Sequence, residues 1–96
     1  MSKEKRDGNV VARTACEQMV NRLKTQGCEA ENCSGTWCIQ TPAGAELHLS
    51  ACYISGYAPW VQCAYWNRDS EGYPDANIEV PYDADLDQFC GWAMAL

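Results

Sequence analysis

What this 96-residue chain lacks narrows its class before any motif is read. No apolar run approaches the ~18 to 20 residues needed to cross a bilayer, so a membrane span is not expected. Basic residues are scarce, with seven Lys and Arg against thirteen Asp and Glu. The resulting formal charge of -6 and pI near 4.5 give a surface that repels phosphate backbones and anionic lipid head groups. Nucleic acid is therefore not an expected partner. There is one histidine, His48, which limits imidazole chemistry to a single position. The charged start, Met1 to Arg6, has no apolar segment behind it of the kind a secretory leader carries. Lys5-Arg6 stands before Asp7-Gly8-Asn9 as a dibasic propeptide site would. Residues 1–8 are accordingly expected to form a flexible tail, and residues 9–96 a single domain.

Cysteine, by contrast, is abundant. Seven occur, Cys16, Cys28, Cys33, Cys38, Cys52, Cys63 and Cys90. Such density is characteristic of small extracellular scaffolds, whose cores are too small to hold the fold unaided. All seven are disulfide candidates, and three bridges would leave one thiol over. The expected localisation is extracellular.

The spacing of apolar residues predicts the elements. Val11, Ala12, Ala15, Cys16, Met19, Val20 and Leu23 fall on one face of a helix, which Gly27 terminates. Residues 28–36 read as a loop held by Cys28 and Cys33. Thr36–Gln40, Glu46–Ile54 and Trp60–Trp66 have the composition or alternation of strands, with Ile78, Val80 and Tyr82 forming a shorter fourth. A hairpin turning at Tyr57-Ala58 would set Cys52 opposite Cys63, a candidate bridge. From Asp83 the period changes to Leu86, Phe89, Cys90 and Ala93, a second helix capped by Asp83 or Asp85. The fold class is therefore α+β, a three- to four-stranded antiparallel sheet flanked by an N-terminal and a C-terminal helix and stapled by disulfides.

Chemistry-bearing patterns are few. A Cys/His hydrolase would need His48 paired with a cysteine, and neither sits in a local signature. Cys28, Cys33 and Cys38 with His48 could supply four zinc ligands to an intracellular adaptor, although the tight two-residue knuckle is missing. Asp83, Asp85 and Asp87 imitate the start of a calcium loop, but Gln88 replaces its glycine and Met94 its final glutamate. Glu46, Asp69 and Glu71 are carboxylates that nothing in the sequence pairs. Asn32-Cys33-Ser34 fits the N-glycosylation pattern. No cofactor or resident metal is expected. Large aromatic rings are too numerous for so small a core to hide. Tyr57, Trp60, Tyr65, Trp66 and Tyr73 are the candidate binding patch, for a protein or a sugar face.

The helix carrying Cys16, the Gly35-Thr36-Trp37 lead into a strand, the Leu47-x-Leu49-x-x-Cys52 strand and the Asp-led helix carrying Cys90 together resemble the small secreted effectors and killer-toxin-like proteins of fungi. Lys5-Arg6 fits that group as well. The resemblance implies a non-enzymatic, exported protein acting on a host or competitor, its partner a protein or a cell-surface glycan. It implies no particular site residue.

Overall fold

A computed structural model of the chain describes residues 7–96; the Lys5-Arg6 pair lies outside the described residues. Helix α1 spans Gly8–Thr25, five strands follow, β1 (Glu29–Cys33), β2 (Thr36–Gln40), β3 (Glu46–Cys52), β4 (Trp60–Trp66) and β5 (Ala76–Pro81), and helix α2 spans Leu86–Met94. The strands form one antiparallel meander in the order β1-β2-β3-β4-β5. The expected α+β architecture is present, with one strand more than the sequence patterning indicates.

Each helix begins on an aspartate. The Asp7 carboxylate accepts a hydrogen bond from the Asn9 N–H at 3.0 Å, and that of Asp85 accepts from the Gln88 N–H at 3.0 Å. Both satisfy otherwise unpaired first-turn donors. Helix α1 thus starts at Gly8, inside the expected tail. Gly8 is required there because a Cβ would run into the Tyr53 ring. At the other end Gly27, with φ of 95°, takes the left-handed conformation, and the Cys28 N–H returns to the Leu23 carbonyl at 3.1 Å.

The additional strand is β1, within the stretch expected to be a loop. Glu29-Ala-Glu-Asn-Cys33 has little intrinsic strand preference, and its side chains are mostly exposed. It is extended because the two-residue turn Ser34-Gly35 folds it back onto β2. Ser34 and Gly35 have φ of 56° and 95°, the paired positive values that match the twist of a tight hairpin. The Asn32 side-chain oxygen accepts from the Gly35 N–H at 2.9 Å and closes the turn.

A second correction concerns the β3–β4 hairpin. Cys52 pairs with Trp60, and Cys63 pairs with Leu49. The chain reverses around Ser55-Gly56, where the Tyr57 N–H reaches the Ile54 carbonyl at 3.0 Å and Gly56 has φ of 93°. Relative to a turn at Tyr57-Ala58 the register shifts by an odd number of residues, which sends the two cysteines to opposite faces of the sheet. They cannot bridge across this hairpin.

Helix α1 lies under β3 and β4, with α2 beside it. Met19 and Leu23 of α1 pack with Ile39, Leu47, Leu49 and Val61 of the sheet, all six with no solvent exposure. Phe89 and Ala93 of α2 join the same cluster. The core therefore occupies one side of the sheet. Cys16, Cys28, Cys63 and Cys90 are buried in it as small apolar side chains. No two of the seven cysteines are at bonding distance, so the expected disulfide staple is not seen, and the core closes on apolar packing.

Truncating Leu47 to Ala should leave a cavity under the central strand and cost about 2 to 5 kcal/mol, read as a lower denaturant midpoint. Tyr73→Ala, at a side chain 92% exposed, should change stability by less than ~0.5 kcal/mol. Equal losses in the two variants would contradict this placement of the core.

Candidate functional site

Because strand side chains alternate, the register that directs Ile39, Leu47, Leu49, Val61 and Cys63 toward the helices directs their neighbours the other way. That second face carries no helix. Two cross-strand rows run over it, Glu31, Cys38, His48, Ala64 and Asn77 in one, and Cys33, Thr36, Ser50, Gln62 and Glu79 in the next. Outside them lie Glu29, Gln40, Glu46 and Trp66 at one end, and Cys52, Trp60 and Pro81 at the other.

Polar groups on this face bond to one another. Thr36 and Ser50 share a hydroxyl hydrogen bond of 3.0 Å across β2 and β3. The Trp60 indole N–H donates to the Gln62 side-chain oxygen at 2.8 Å, and the Gln62 amide donates to the Asn77 side-chain oxygen at 2.8 Å. Glu46 and His48 are joined through Oε2 and Nε2 at 2.5 Å, and the His48 ring lies 4.6 Å from that of Trp66. The Trp66 indole in turn donates to the Gly72 carbonyl at 2.9 Å, holding the 67–75 loop against the end of the sheet. Asp75 organises that loop, accepting from the Ser70 hydroxyl at 2.6 Å and the Asn67 N–H at 2.8 Å. These two donors hold its carboxyl below the usual range.

Charge is segregated. The open face carries Glu29, Glu31, Glu46 and Glu79, and among the described residues no Lys or Arg projects from it. Arg13, Arg22 and Lys24 all lie on α1, beneath the sheet. Arg22 pairs with Asp87 of α2. Arg68 donates to the carbonyls of Ala95 and Leu96 at 3.2 and 3.0 Å, tying the 67–75 loop to the C-terminus.

The five aromatic candidates do not form one patch. Trp60 and Trp66 are on the open face but at opposite ends of β4. Tyr65 points to the core side, edge-on to Trp92 at 4.9 Å, and leaves the patch. Tyr73 stands out from the 67–75 loop, while Tyr57, 70% exposed, belongs to the β3–β4 tip. At that tip Ile54, Tyr57, Pro59, Trp60 and Pro81 line an apolar groove of about 620 Å³. Sequence reasoning missed Ile54, Pro81 and the grouping of the four glutamates, naming only Glu46, and that as a possible catalytic carboxylate. The glutamates were legible only as the polar half of strand alternation.

The cysteines divide by face. Cys33, Cys38 and Cys52 are on the open side, with Cys16, Cys28, Cys63 and Cys90 below. The four proposed zinc ligands are thereby split. Cys28 is under the sheet with its thiol 3.5 Å from the Met94 sulfur, whereas Cys33, Cys38 and His48 are above it. Among the described residues no three His, Cys, Asp or Glu side chains are arranged to hold a metal ion. Cys38 faces His48 directly across β2 and β3, the closest approach to a Cys-His pair. Burial, then a hydrogen bond with Cys33, raises the Cys38 pKa and keeps it a thiol, opposite to what a thiolate nucleophile requires. Asp85 is taken up in capping and Asp87 in its ion pair, and Asp69 and Glu71 lie in the 67–75 loop. Asn32 spends its oxygen on the hairpin turn.

Burial pushes Cys16 up to about 11 and Cys63 up to about 12, from 9.0. Their neutral forms are favoured by folding, so this contribution is present in full below pH 9 and is lost as pH rises toward 12. Denaturant midpoints of the reduced protein should fall above pH 9, and Cys63→Ala should flatten that fall. At pH 8, iodoacetamide should label Cys33 in the reduced, folded protein and leave Cys16 and Cys63 unmodified; rapid labelling of Cys63 would contradict its burial. Comparison with known protein families, with curated proteins and with solved structures finds no match to this chain.

Proposed function

We propose that this chain is a non-enzymatic binding domain that uses the open face of its sheet to hold a cationic protein surface. The observation that carries this reading is the charge of that face, four glutamates with no Lys or Arg among the described residues, bordered by two tryptophans. Complementary charge accelerates encounter and selects partners, while anchoring comes from large rings that can be desolvated. Trp60 and the apolar groove at the β3–β4 tip supply such an anchor at one end, and Trp66 beside His48 supplies another. A glycan partner is less well supported, since the exposed rings do not converge on one stacking platform.

The same reading places the domain outside the cell, as an effector- or toxin-like protein acting on a host or competitor. Seven cysteines in 96 residues support that setting. So does their arrangement. Cys16 lies within electrostatic reach of Cys63 and Cys28 within reach of Cys90, and Cys33 is a diagonal cross-strand neighbour of Cys38. Cys16 is also within reach of Cys52, so three bridges from these neighbours would leave either Cys52 or Cys63 as the odd thiol.

Two measurements test the proposal. Titration of the isotope-labelled protein with a lysine-rich peptide should shift amide resonances in the rows containing Glu31, His48 and Glu79, and raising the salt should weaken the effect. The double variant Glu31→Lys/Glu79→Lys should lower the affinity by about tenfold or more. Shifts confined to α1, or an unchanged affinity in that variant, would refute the face as the recognition surface. For the setting, the native protein should weigh about 6 Da less than its reduced form. Seven alkylatable thiols in protein recovered from its natural source would refute export to an oxidising compartment.

A further inference from the structure

The β1–β2 hairpin sets two thiols side by side on the open face. Cys33 pairs with Thr36 and Cys38 with Glu31, so Cys33 and Cys38 are diagonal neighbours on adjacent strands and their side chains point the same way. The Cys33 thiol also lies 4.0 Å from the carbonyl of Glu31, the residue directly opposite Cys38. Cys33 is exposed beside the Ser34-Gly35 turn, and Cys38 is half-buried. The third thiol of this face, Cys52, is two strands away from Cys33 at the C-terminal end of β3 and turns toward the Ser50 carbonyl. The remaining four are shielded by the sheet.

We propose that Cys33 and Cys38 are a reversible redox pair, a modification site at which a low-molecular-weight disulfide of the glutathione class oxidises the hairpin. The exposed Cys33 thiolate attacks one sulfur of the disulfide and expels the first small thiolate, leaving a mixed disulfide on Cys33. Cys38, giving up its thiol proton to solvent, then attacks the Cys33 sulfur, expels the second small thiolate, and closes the Cys33–Cys38 bond, a step that quickens as pH rises. The protein gives up two electrons and two thiol protons, and one small disulfide becomes two small thiols. Excess small thiol runs the sequence backward.

Geometry makes the bond reversible even if it is closed in the native protein. Diagonal neighbours in an antiparallel pair have Cα atoms ~7 to 8 Å apart, beyond the ~4.4 to 6.8 Å usual for a disulfide. Closure therefore requires β1 to shift against β2. β1 can do so because it is an edge strand, bonded on one side only, whereas β2 is held on both. A bond closed at the expense of strand pairing is more easily reduced than an unstrained one. The proposal does not depend on what the open face binds.

The full-length protein would be equilibrated in buffers of graded reduced to oxidised glutathione, alkylated, and cleaved after glutamate. The segment between Glu31 and Glu46 then contains Cys33 and Cys38 and no other cysteine. The bridged form of this peptide should replace the doubly alkylated form as one two-electron couple, the ratio changing tenfold per ~30 mV. In Cys38→Ser, which lacks the resolving thiol, Cys33 should instead accumulate the glutathione adduct. Independent adducts on both cysteines of the unaltered protein would overturn the proposal. So would a Cys33 bridge to Cys52, a pair that stays reduced throughout, or a bond that resists excess reduced glutathione.

Discussion

Everything in this molecule depends on one layer contact, the seating of α1 against the inner side of β3 and β4. Met19 and Leu23 meet Leu47, Leu49, Ile39 and Val61 with no exposed surface, and the packing of these branched and flexible side chains closes the core. At roughly 25 cal/mol per Å² of apolar area, a handful of fully buried residues offsets a large part of the chain's ordering entropy. That contact also decides which residues are public. Once the odd-numbered side chains of β2, β3 and β4 are committed to the helices, the even-numbered ones must face out together.

The outward face is therefore a consequence of the core and not an independent design. Its four glutamates, its tryptophan ends and its three cysteines are brought together from five strands by a register that the core sets. Segregation of charge follows the same division, with Arg13, Arg22 and Lys24 on the helix beneath and the carboxylates above. A low-charge or mixed face would discriminate poorly among partners. An acidic face bordered by large rings can select by charge and hold by desolvation, which is the basis of the binding role proposed for it.

The cysteines show how one residue type takes several physical roles in a single small domain. Below the sheet, burial raises the pKa of Cys16 and Cys63 and makes them behave as compact apolar side chains. Above it, Cys33 and Cys38 are close to one another, within the field of Glu31 and Glu46, and accessible from solvent through Cys33. Composition treats all seven as one set of equivalent bridge candidates. Their environments separate them into a core group and a surface pair, with Cys52 set apart.

The two helices, four of the five strands and the aspartate cap of α2 were legible in the sequence, because periodicity and capping are local and each rests on residues within one or two turns. Glu29–Cys33 was not, since an edge strand with exposed side chains has no apolar alternation to display; only the Ser34-Gly35 dipeptide marked it. The Cys52–Cys63 pairing failed because hairpin register depends on where a seven-residue connection reverses, and an odd shift moves a side chain through the sheet. The aromatic patch failed for the same reason at Tyr65, which strand parity turned toward Trp92. Sequence by itself thus determined what each segment prefers and the acidity of the whole. Tertiary structure decided which face each residue joins, because a side chain's direction in a sheet is set by pairing with strands far away in the chain.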